Sequence, residues 1–561
     1  MSDEFPLPQV RPVALNEIPG ADVHVFAGDV HADDTDPSSA PGTTVTSVTA
    51  DSRAVHEGAL FAALPGAHAH GARFAPQAAQ RGARAILTDA AGAALIAQAG
   101  AELPLLVVED PAAHLGAIAA RIYGEPAERL RSFAVTGTNG KTTTTYLLDG
   151  LLTALDRSTG LVGTVETKIA DLCAPAHLTT PMPADLQALL ALLVERGGTD
   201  VSMEVSSHAL AQHRTSPVVF SVAGFTNLTR DHLDYHRTME NYYQAKRSLF
   251  TPGCSRRAVI TVDDDWGKRL AGETEVPTVA LAVFSELDGR NGYQVRDIER
   301  GPVTSFTVAH SEGWEMTVRT GLPGDFNIAN TALAVAMVLE SGADRGAVGA
   351  VVGAGLTPQV PGRMEVVGKA PRVVVDFAHN TAALRLAINA LRPTTSGQLI
   401  VVTGSAGERD VDKRPEMGRA VAELADVVYI TDDDPHEEDP APIRAALLDG
   451  ARSAHSPARI VEIADRATAM RTAIRDAAAE DTVLLAGRGH ETYQPVAGGR
   501  NIPLDDREVA RAALAERARS VGRGSRADSA DWADRADRGD CSDRTNRIAL
   551  DKNTQEEKDT Q

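Results

Sequence analysis

A glycine-rich segment near residue 140 has the residue types that a phosphate-binding loop needs. An apolar run that predicts a buried strand precedes it, and a run with helical spacing follows it. Glycines let backbone N–H groups approach phosphate oxygens, and a helix N-terminus adds positive potential. Lys141 would neutralise the β- and γ-phosphates of a nucleotide, and the Thr142 hydroxyl would bind Mg²⁺. The alternative is a tight turn with a surface lysine, but the Gly-Lys-Thr-Thr run and its flanks agree with phosphate binding. The segment comprises Gly137, Thr138, Asn139, Gly140, Lys141, Thr142 and Thr143.

Two further buried strands lead into acidic and histidine side chains. Glu204 ends the first, and Asp231, His232, Asp234 and His236 follow the second within six residues. Ligands of open α/β sheets gather at the carboxyl ends of the strands, so Glu204 is well placed as an oxygen ligand for Mg²⁺. The alternative for Glu204 is a solvated carboxylate, which the preceding phosphate loop disfavours. The alternative for the cluster of two histidines and two aspartates is a solvated loop.

Composition limits the partners of the chain. It has 561 residues and a net charge of −21, so its acidic surface would repel nucleic acid and anionic membranes. Three widely spaced cysteines form no disulfide framework and no metal pair, which fits a reducing compartment. The N-terminus shows no signal peptide and no apolar stretch is long enough to span a bilayer. We therefore expect a cytosolic protein, and a monomer.

The elements that must position these residues are of the α/β class. Short β-rich runs fill residues 1–128. Strand–helix alternation in 129–358 predicts a parallel, doubly wound sheet, and alternation in 359–520 predicts a Rossmann-like domain. Residues 521–561 are rich in Arg, Asp, Ser and Asn, which predicts a disordered tail.

These motifs and their order along the chain resemble those of the Mur ligases, specifically the type that adds a diamino acid to UDP-MurNAc-L-Ala-D-Glu. The short Gly-Thr-x-Gly-Lys-Thr loop, with Val135 where the general pattern has glycine, is shared with folylpolyglutamate synthetases. The stretch MEVSSHAL at residues 203–210 and the stretch DHLDYH at residues 231–236 are closer to the Mur pattern. The resemblance spans about residues 45–515 and implies three domains: an N-terminal UDP-binding α/β domain, a central P-loop ATPase domain with a parallel sheet, and a C-terminal Rossmann-like domain.

The same resemblance implies ATP and two Mg²⁺ ions as cofactors. The catalytic residues would be Lys141, Glu204, His232 and Lys246. The metal ligands would be Thr142, Glu204, His232 and Lys246, with Lys246 carbamylated to N6-carboxylysine. Beyond the phosphate loop, ATP would contact Asn327, Asn330, Arg363, Asp376 and His379. After His379, the sequence Asn380-Thr381-Ala382 departs from the Thr-Pro-Asp of the family.

Binding of the two other substrates is also implied by the resemblance. The UDP-sugar would contact Ser52, Ala67, His68, Ala69, Thr179, Thr180, Ser206, Gln212 and Arg214. The incoming amino acid would contact Arg409, Asp433, Asp434, His436, Gly487 and Glu491. Arg488 stands where the family usually has lysine.

The specificity segment reads Asp433-Asp434-Pro435-His436, where enzymes that add meso-diaminopimelate carry Asp-Asn-Pro-Arg. The missing Arg and the extra acid favour a side chain that ends in ammonium. We therefore expect L-lysine or L-ornithine, with meso-diaminopimelate as the alternative.

The implied reaction forms an acyl phosphate on the D-glutamate γ-carboxyl, which the amine of the amino acid then attacks. Two rival hypotheses are a ligase like folylpolyglutamate synthetase and an inactive nucleotide-binding regulator. The intact set of Lys141, Glu204, His232 and Lys246 disfavours the regulator.

Overall fold

The computed structural model describes residues 5–18, 24–26, 42–66, 68–408 and 410–519. Ala67, Arg409 and the predicted tail at 521–561 lie outside these ranges. In the described part, each of the three sections named from the sequence has a β-sheet of its own. No helix in these ranges is long and apolar enough to cross a membrane.

The first section holds a five-stranded sheet in the order β2-β7-β6-β5-β4. Strands β4 to β7 are parallel, and β2 joins β7 antiparallel. The strands are β1 (Val13–Ala14), β2 (His24–Phe26), β3 (Thr44–Val45), β4 (Ser47–Thr49), β5 (Ala59–Ala62), β6 (Ala85–Thr88) and β7 (Leu105–Val107). The helices are α1 (Ala75–Gln80), α2 (Ala90–Ala99) and α3 (Pro111–Ile122).

The central sheet has eleven strands in the described residues, in the order β11-β10-β9-β12-β8-β13-β14-β15-β16-β17-β18. The strands are β8 (Arg131–Thr136), β9 (Thr159–Val162), β10 (Glu166–Ile169), β11 (Leu172–Pro175), β12 (Asp200–Glu204), β13 (Val222–Phe225), β14 (Ala258–Thr261), β15 (Thr278–Ala282), β16 (Gly292–Glu299), β17 (Thr304–His310) and β18 (Glu315–Thr320). The helices are α4 (Lys141–Ala154), α5 (Pro183–Glu195), α6 (Ser207–Ala211), α7 (Leu233–His236), α8 (Met239–Arg247), α9 (Asp265–Glu273), α10 (Asp325–Glu340) and α11 (Arg345–Ala354).

The parallel sheet predicted for this section is present in the neighbouring strands β9, β12, β8, β13, β14, β15 and β16. The structure adds antiparallel strands at both edges of this sheet, namely β10, β11, β17 and β18. Edge strands of this kind are half exposed and carry polar residues, so they lack the continuous apolar run of a strand buried on both faces.

Alternate residues of the central strands enter two different cores, because side chains of a strand point to opposite faces. Phe133 and Val135 pack under α4 and α10, whereas Ala134 packs under α5 and α8. Helices therefore cover both faces of the sheet, and the open ends of its strands remain available for ligands.

The last section holds a six-stranded sheet in the order β19-β20-β24-β21-β22-β23, parallel except for β19. The strands are β19 (Glu365–Lys369), β20 (Arg372–Asp376), β21 (Leu399–Thr403), β22 (Val427–Ile430), β23 (Arg459–Glu462), β24 (Thr482–Ala486), β25 (Tyr493–Val496) and β26 (Arg500–Pro503). The helices are α12 (Thr381–Leu391), α13 (Lys413–Leu424), α14 (Pro440–Ser453) and α15 (Arg466–Asp476), and residues 506–519 are also helical.

Strands β25 and β26 form a separate hairpin after the sheet, which the sequence pattern did not predict. Short 3₁₀ turns complete the described secondary structure at Leu15–Glu17, Gly71–Phe74, Pro126–Arg129, Ser248–Phe250 and Arg392–Thr394.

Candidate active site

Sheet order brings the three predicted motifs of the central section together. Strands β12, β8 and β13 are adjacent, so their carboxyl ends meet at one edge of the sheet. The glycine-rich loop follows β8, Glu204 ends β12, and the segment with His232 follows β13. A cleft of about 1000 Å³ opens at this edge, with further walls from the last section.

The glycine-rich loop has the tight backbone that its sequence predicts. Gly137 and Gly140 adopt φ values of 150° and 93°. A Cβ atom on Gly137 would lie 1.8 Å from the Thr226 hydroxyl, and one on Gly140 would lie 2.4 Å from Oδ1 of Asn330. Both positions therefore require glycine, for space as well as for conformation. Helix α4 then begins at Lys141.

Lys141 lies within this loop rather than on the surface. Its Nζ donates to the carbonyls of Gly137 (3.0 Å) and Thr138 (2.9 Å). Burial lowers the pKa of Lys141, while the charges of Glu204 and Asp231 oppose that shift. A cation held among backbone carbonyls at a helix start is suited to bind phosphate when one arrives.

Glu204 is fully buried and surrounded by oxygen and nitrogen donors. Its carboxylate accepts from the hydroxyls of Thr142 and Thr164, each at 3.0 Å, and from the Thr164 backbone N–H at 2.7 Å. Within the described ranges, no group of three or more His, Cys, Asp and Glu side chains is arranged to hold a metal ion by itself. One carboxylate with adjacent hydroxyls fits Mg²⁺, which takes few protein oxygens and completes its shell with phosphate and water.

His232 and Lys246 lie beside the same loop. Lys246 is buried, donates to the Gly137 carbonyl at 2.8 Å, and has its Nζ 4.6 Å from the centre of the Tyr242 ring. Burial and the nearby charge of Lys141 hold the pKa of Lys246 well below its ordinary value. Burial also lowers the pKa of His232 to about 3. A neutral amine and a neutral imidazole are the forms that carbamylation and metal binding respectively need.

The two asparagines predicted to contact ATP line the cleft from α10. Asn330 donates to Oδ1 of Asn327 at 3.0 Å and accepts from the Thr144 hydroxyl at 3.4 Å. Asn327 in turn donates to the Pro323 carbonyl at 2.7 Å. This chain of hydrogen bonds fixes the start of α10 against α4.

The last section contributes Arg363, Asp376 and His379 to the cleft. Arg363 donates to the Thr142 hydroxyl at 3.3 Å and stacks on Phe377, 4.2 Å from the ring centre. Asp376 accepts from the backbone N–H of Met364 at 2.8 Å, and burial raises its pKa. Arg363 therefore reaches the residue proposed to bind Mg²⁺ from a different section of the chain.

Asp231 is a further link between the two sections that sequence reasoning did not single out as a site residue. Its Oδ2 lies 3.7 Å from Nε2 of His379 and accepts from the Asn380 side chain at 3.3 Å. Burial raises its pKa, but interactions with His379, His232 and Lys413 outweigh that effect and hold the pKa well below its ordinary value. Asn380, which departs from the family pattern, is thus a structural partner of the loop after β13.

The residues predicted for the UDP-sugar fall into two groups. Four of them line the cleft: Thr179, Thr180, Ser206 and Arg214. Thr180 is hydrogen-bonded to the Glu204 carbonyl at the strand end, to Ser206 and to Arg214, whereas the Thr179 hydroxyl is bonded to that of Thr164. Gln212 adjoins them, because its Oε1 accepts from Arg214 at 2.7 Å. The structure does not bring Ser52, His68 or Ala69 into the cleft: Ser52 donates to Gln77 within the first section, and the other two are exposed there.

Asp433, Asp434, His436, Gly487 and Glu491, the residues expected to contact the incoming amino acid, all line the cleft, and we call the part that they line its amino-acid end. The structure corrects the charge argument made from the sequence. Asp434 accepts a hydrogen bond from the fully buried Arg488, and Oδ2 of Asp433 lies 3.8 Å from the fully buried Arg466. The extra acid is therefore neutralised by the protein and does not by itself favour a substrate ammonium.

Comparisons with known proteins agree with this arrangement. Three family models match: the Mur ligase family catalytic domain at residues 44–123, the Mur ligase middle domain at 135–338, and the Mur ligase glutamate ligase domain at 362–489. The UDP-N-acetylmuramoyl-L-alanyl-D-glutamate--2,6-diaminopimelate ligase of Streptomyces coelicolor is 47% identical, over 84% of this chain and 92% of that protein. A UDP-N-acetylmuramyl-tripeptide synthetase of Leifsonia xyli is 43% identical, over 85% and 92%. A solved structure of a UDP-N-acetylmuramoyl-L-alanyl-D-glutamate--2,6-diaminopimelate ligase superimposes with a TM-score of 0.57 and 30% identity, over 84% of this chain and 95% of that one.

Proposed function

The chain belongs to the Mur ligase family, and from that premise we propose that it joins 2,6-diaminopimelate to the D-glutamate of UDP-MurNAc-L-Ala-D-Glu. As a member of this family it is an ATP-dependent ligase that forms an amide bond and uses Mg²⁺. The observation that carries the proposal is the meeting of the glycine-rich loop, Glu204 and Arg363 around the Thr142 hydroxyl.

The proposed amino acid differs from the lysine or ornithine expected from the sequence. The Streptomyces relative is named for 2,6-diaminopimelate, which supports the alternative. The pairing of Asp434 with Arg488 supports it as well, because it removes the free negative charge that was one of the two grounds for lysine, the other being the missing Arg at position 436. The monomeric state and the cytosolic location stay predictions from the sequence.

In the proposed reaction a γ-carboxylate oxygen of the substrate attacks the γ-phosphorus of ATP, and ADP leaves. The amine of the amino acid then attacks the acyl carbon, phosphate leaves, and the nitrogen loses a proton. Lys141 and Arg363 offset charge on the phosphates, which is the main task of a protein in phosphoryl transfer. Thr179, Thr180 and Arg214 orient the UDP-sugar peptide at the strand end.

We assign two Mg²⁺ positions to this site. Thr142 and Glu204 would hold the first, and His232 with carbamylated Lys246 would hold the second. Bound Mg²⁺ would offset negative charge on the transferred phosphoryl group. The support is the donor chemistry of these side chains and the neutral form of Lys246.

Phosphate release from ATP, measured with UDP-MurNAc-L-Ala-D-Glu and each of three amino acids, tests the function. We expect turnover with 2,6-diaminopimelate and little with L-lysine or L-ornithine. Glu204→Gln should reduce kcat by about a hundredfold or more, because it removes a buried anionic ligand. Glu340→Gln is the matched control, since Glu340 also accepts from a hydroxyl, that of Tyr293, but outside the cleft.

Two results would contradict the proposal in different ways. Turnover with lysine alone would restore the expectation from the sequence and refute diaminopimelate. Absence of turnover with every amino acid would refute the ligase and favour the binding protein that the sequence left open.

A further inference from the structure

The hairpin of β25 and β26 is held to the molecule by polar contacts rather than by core packing. Tyr493 and Ile502 are 57% and 45% exposed, and in the part of the chain that the structure describes no residue of 493–503 belongs to an apolar core. A two-stranded hairpin of this kind is marginal on its own. Its position must therefore come from the segments that it touches.

Those contacts concentrate on one segment, residues 433–438, at the amino-acid end of the cleft. The His436 N–H donates to the Pro495 carbonyl at 3.2 Å, and the Gln494 side chain donates to the Asp433 carbonyl. The Glu437 carboxylate accepts from the backbone N–H groups of Gly498 and Gly499, at 3.0 and 2.9 Å. These two hydrogen bonds, which we call the Glu437 clasp, hold the hairpin turn against the 433–438 segment.

The buried Arg488 side chain is hydrogen-bonded to the 433–438 segment and to both ends of the hairpin. Its guanidinium donates to Asp434, to the Tyr493 carbonyl at 2.7 Å and to the Leu504 carbonyl at 3.2 Å. Arg488 is completely buried, so these bonds are shielded from water. The hairpin and the 433–438 segment consequently form one unit.

This unit faces the cleft with side chains that can donate hydrogen bonds. Tyr493 and Asn501 line the cleft from the hairpin, and His436 lines it from the clasped segment. Pro495 is paired across the hairpin with Asn501 and bonded to the His436 backbone, so Asn501 and His436 are neighbours on this wall.

We propose that this hairpin recognises the distal end of the incoming diamino acid, with the Asn501 amide donating to its distal carboxylate and the Glu437 clasp holding the wall in place. The inference rests on the proposed function, since 2,6-diaminopimelate has a second carboxylate where lysine has none. Asn501 is a specificity-determining residue, and Glu437 is a positioning residue.

The first test is the substitution Asn501→Asp, which replaces the amide donor by a negatively charged carboxylate of nearly the same shape. We expect kcat/KM for 2,6-diaminopimelate to fall about tenfold or more, because a carboxylate facing a carboxylate is repelled. The low activity with L-lysine should fall less or rise, and the KM values for ATP and the UDP-sugar peptide should not change. Equal loss with both amino acids, or no loss, would overturn the assignment.

The second test weakens the clasp, in Glu437→Gln. The KM for the amino acid should rise severalfold while kcat and the KM for ATP stay close to wild type, and Glu437→Asp should recover part of the loss. Asp344→Asn is the matched control, because Asp344 is an exposed carboxylate that accepts a backbone N–H at the start of α11, away from the cleft. An unchanged KM in Glu437→Gln would overturn the positioning role.

The tests separate this inference from the function on which it rests. An inactive wild-type enzyme would overturn both. An active wild type, with the hairpin variants behaving like their control, would overturn the hairpin assignment alone.

Discussion

Glu491 lies among opposing charges at the amino-acid end of the cleft. Burial raises its pKa to about 7, and Asp433 adds to that effect, whereas Arg488 opposes it. Its side chain is still 34% exposed, so water screens part of the interaction. A carboxyl with a pKa this high can gain or lose a proton near neutral pH, which would suit the contact with the substrate amine that we expect from the sequence.

The substitution Glu491→Gln tests this pKa through stability. A carboxyl whose pKa is raised on folding costs stability when it ionises, so the cost is absent below about pH 4, grows through pH 7 and is complete above it. We expect the free energy of unfolding of the variant, relative to wild type, to increase from pH 4 to pH 8. Denaturant unfolding at pH 4, 6 and 8 measures it, and a difference independent of pH would contradict the raised pKa.

Among the elements, α12 shows how one residue can serve both a helix and the cleft. The Asn380 Oδ1 atom caps the helix by accepting from the Ala383 N–H at 2.9 Å, while its amide donates to Asp231 at 3.3 Å. The same amide lies 3.4 Å from Oδ1 of Asn139 in the glycine-rich loop. Because α12 belongs to the last section, this cap also joins two sections.

Removal of this side chain in Asn380→Ala should lower the free energy of unfolding by about 1 kcal/mol, the usual cost of a lost cap. The KM for ATP should rise about threefold, because the loop loses a donor. Asp465→Ala is the control, since Asp465 caps α15 through Thr468 in the same section without lining the cleft. Equal KM values in the two variants would show that Asn380 acts only as a cap.

On the scale of the whole molecule, an exposed ion pair joins the central and last sections. Arg230, after β13, donates to both oxygens of Asp410, at 3.1 and 3.2 Å, and lies 3.4 Å from Asp412. The two aspartates adjoin the start of α13, next to the amino-acid end of the cleft. The pair is therefore positioned to set how the two sections meet.

Exposed ion pairs contribute at most about 1 kcal/mol to the free energy of unfolding, so Arg230→Ala should leave the unfolding temperature nearly unchanged. We expect the KM for the amino acid to rise and the radius of gyration in solution scattering to increase. High salt should reduce the difference from wild type, because it screens the same pair. Arg385→Ala removes an arginine of equal exposure, which pairs with Glu423 inside the last section, and it should show neither effect.

Most of the secondary structure and the order of the motifs could be predicted, because both depend on residues close in sequence. Strand β21 is an apolar run up to its final threonine and β8 contains the run Phe133-Ala134-Val135, while the glycine-rich loop needs its glycines for local backbone reasons. The antiparallel edge strands β10 and β18 could not be predicted this way. Their side chains are partly exposed and include polar residues, so they lack the apolar run of a buried strand, and pairing within the hairpins β10–β11 and β17–β18 makes them strands.

Sequence by itself determined the family, the phosphate loop and the set of residues that could meet at the cleft. Only the tertiary structure decided the charge of the amino-acid end, since the partner of Asp434 is Arg488, which lies 54 residues away in the chain. It also decided that Ser52 lies away from the cleft and that a polar hairpin forms one of its walls. Charge compensation and burial depend on which residues become neighbours on folding, and spacing along the chain does not carry that information.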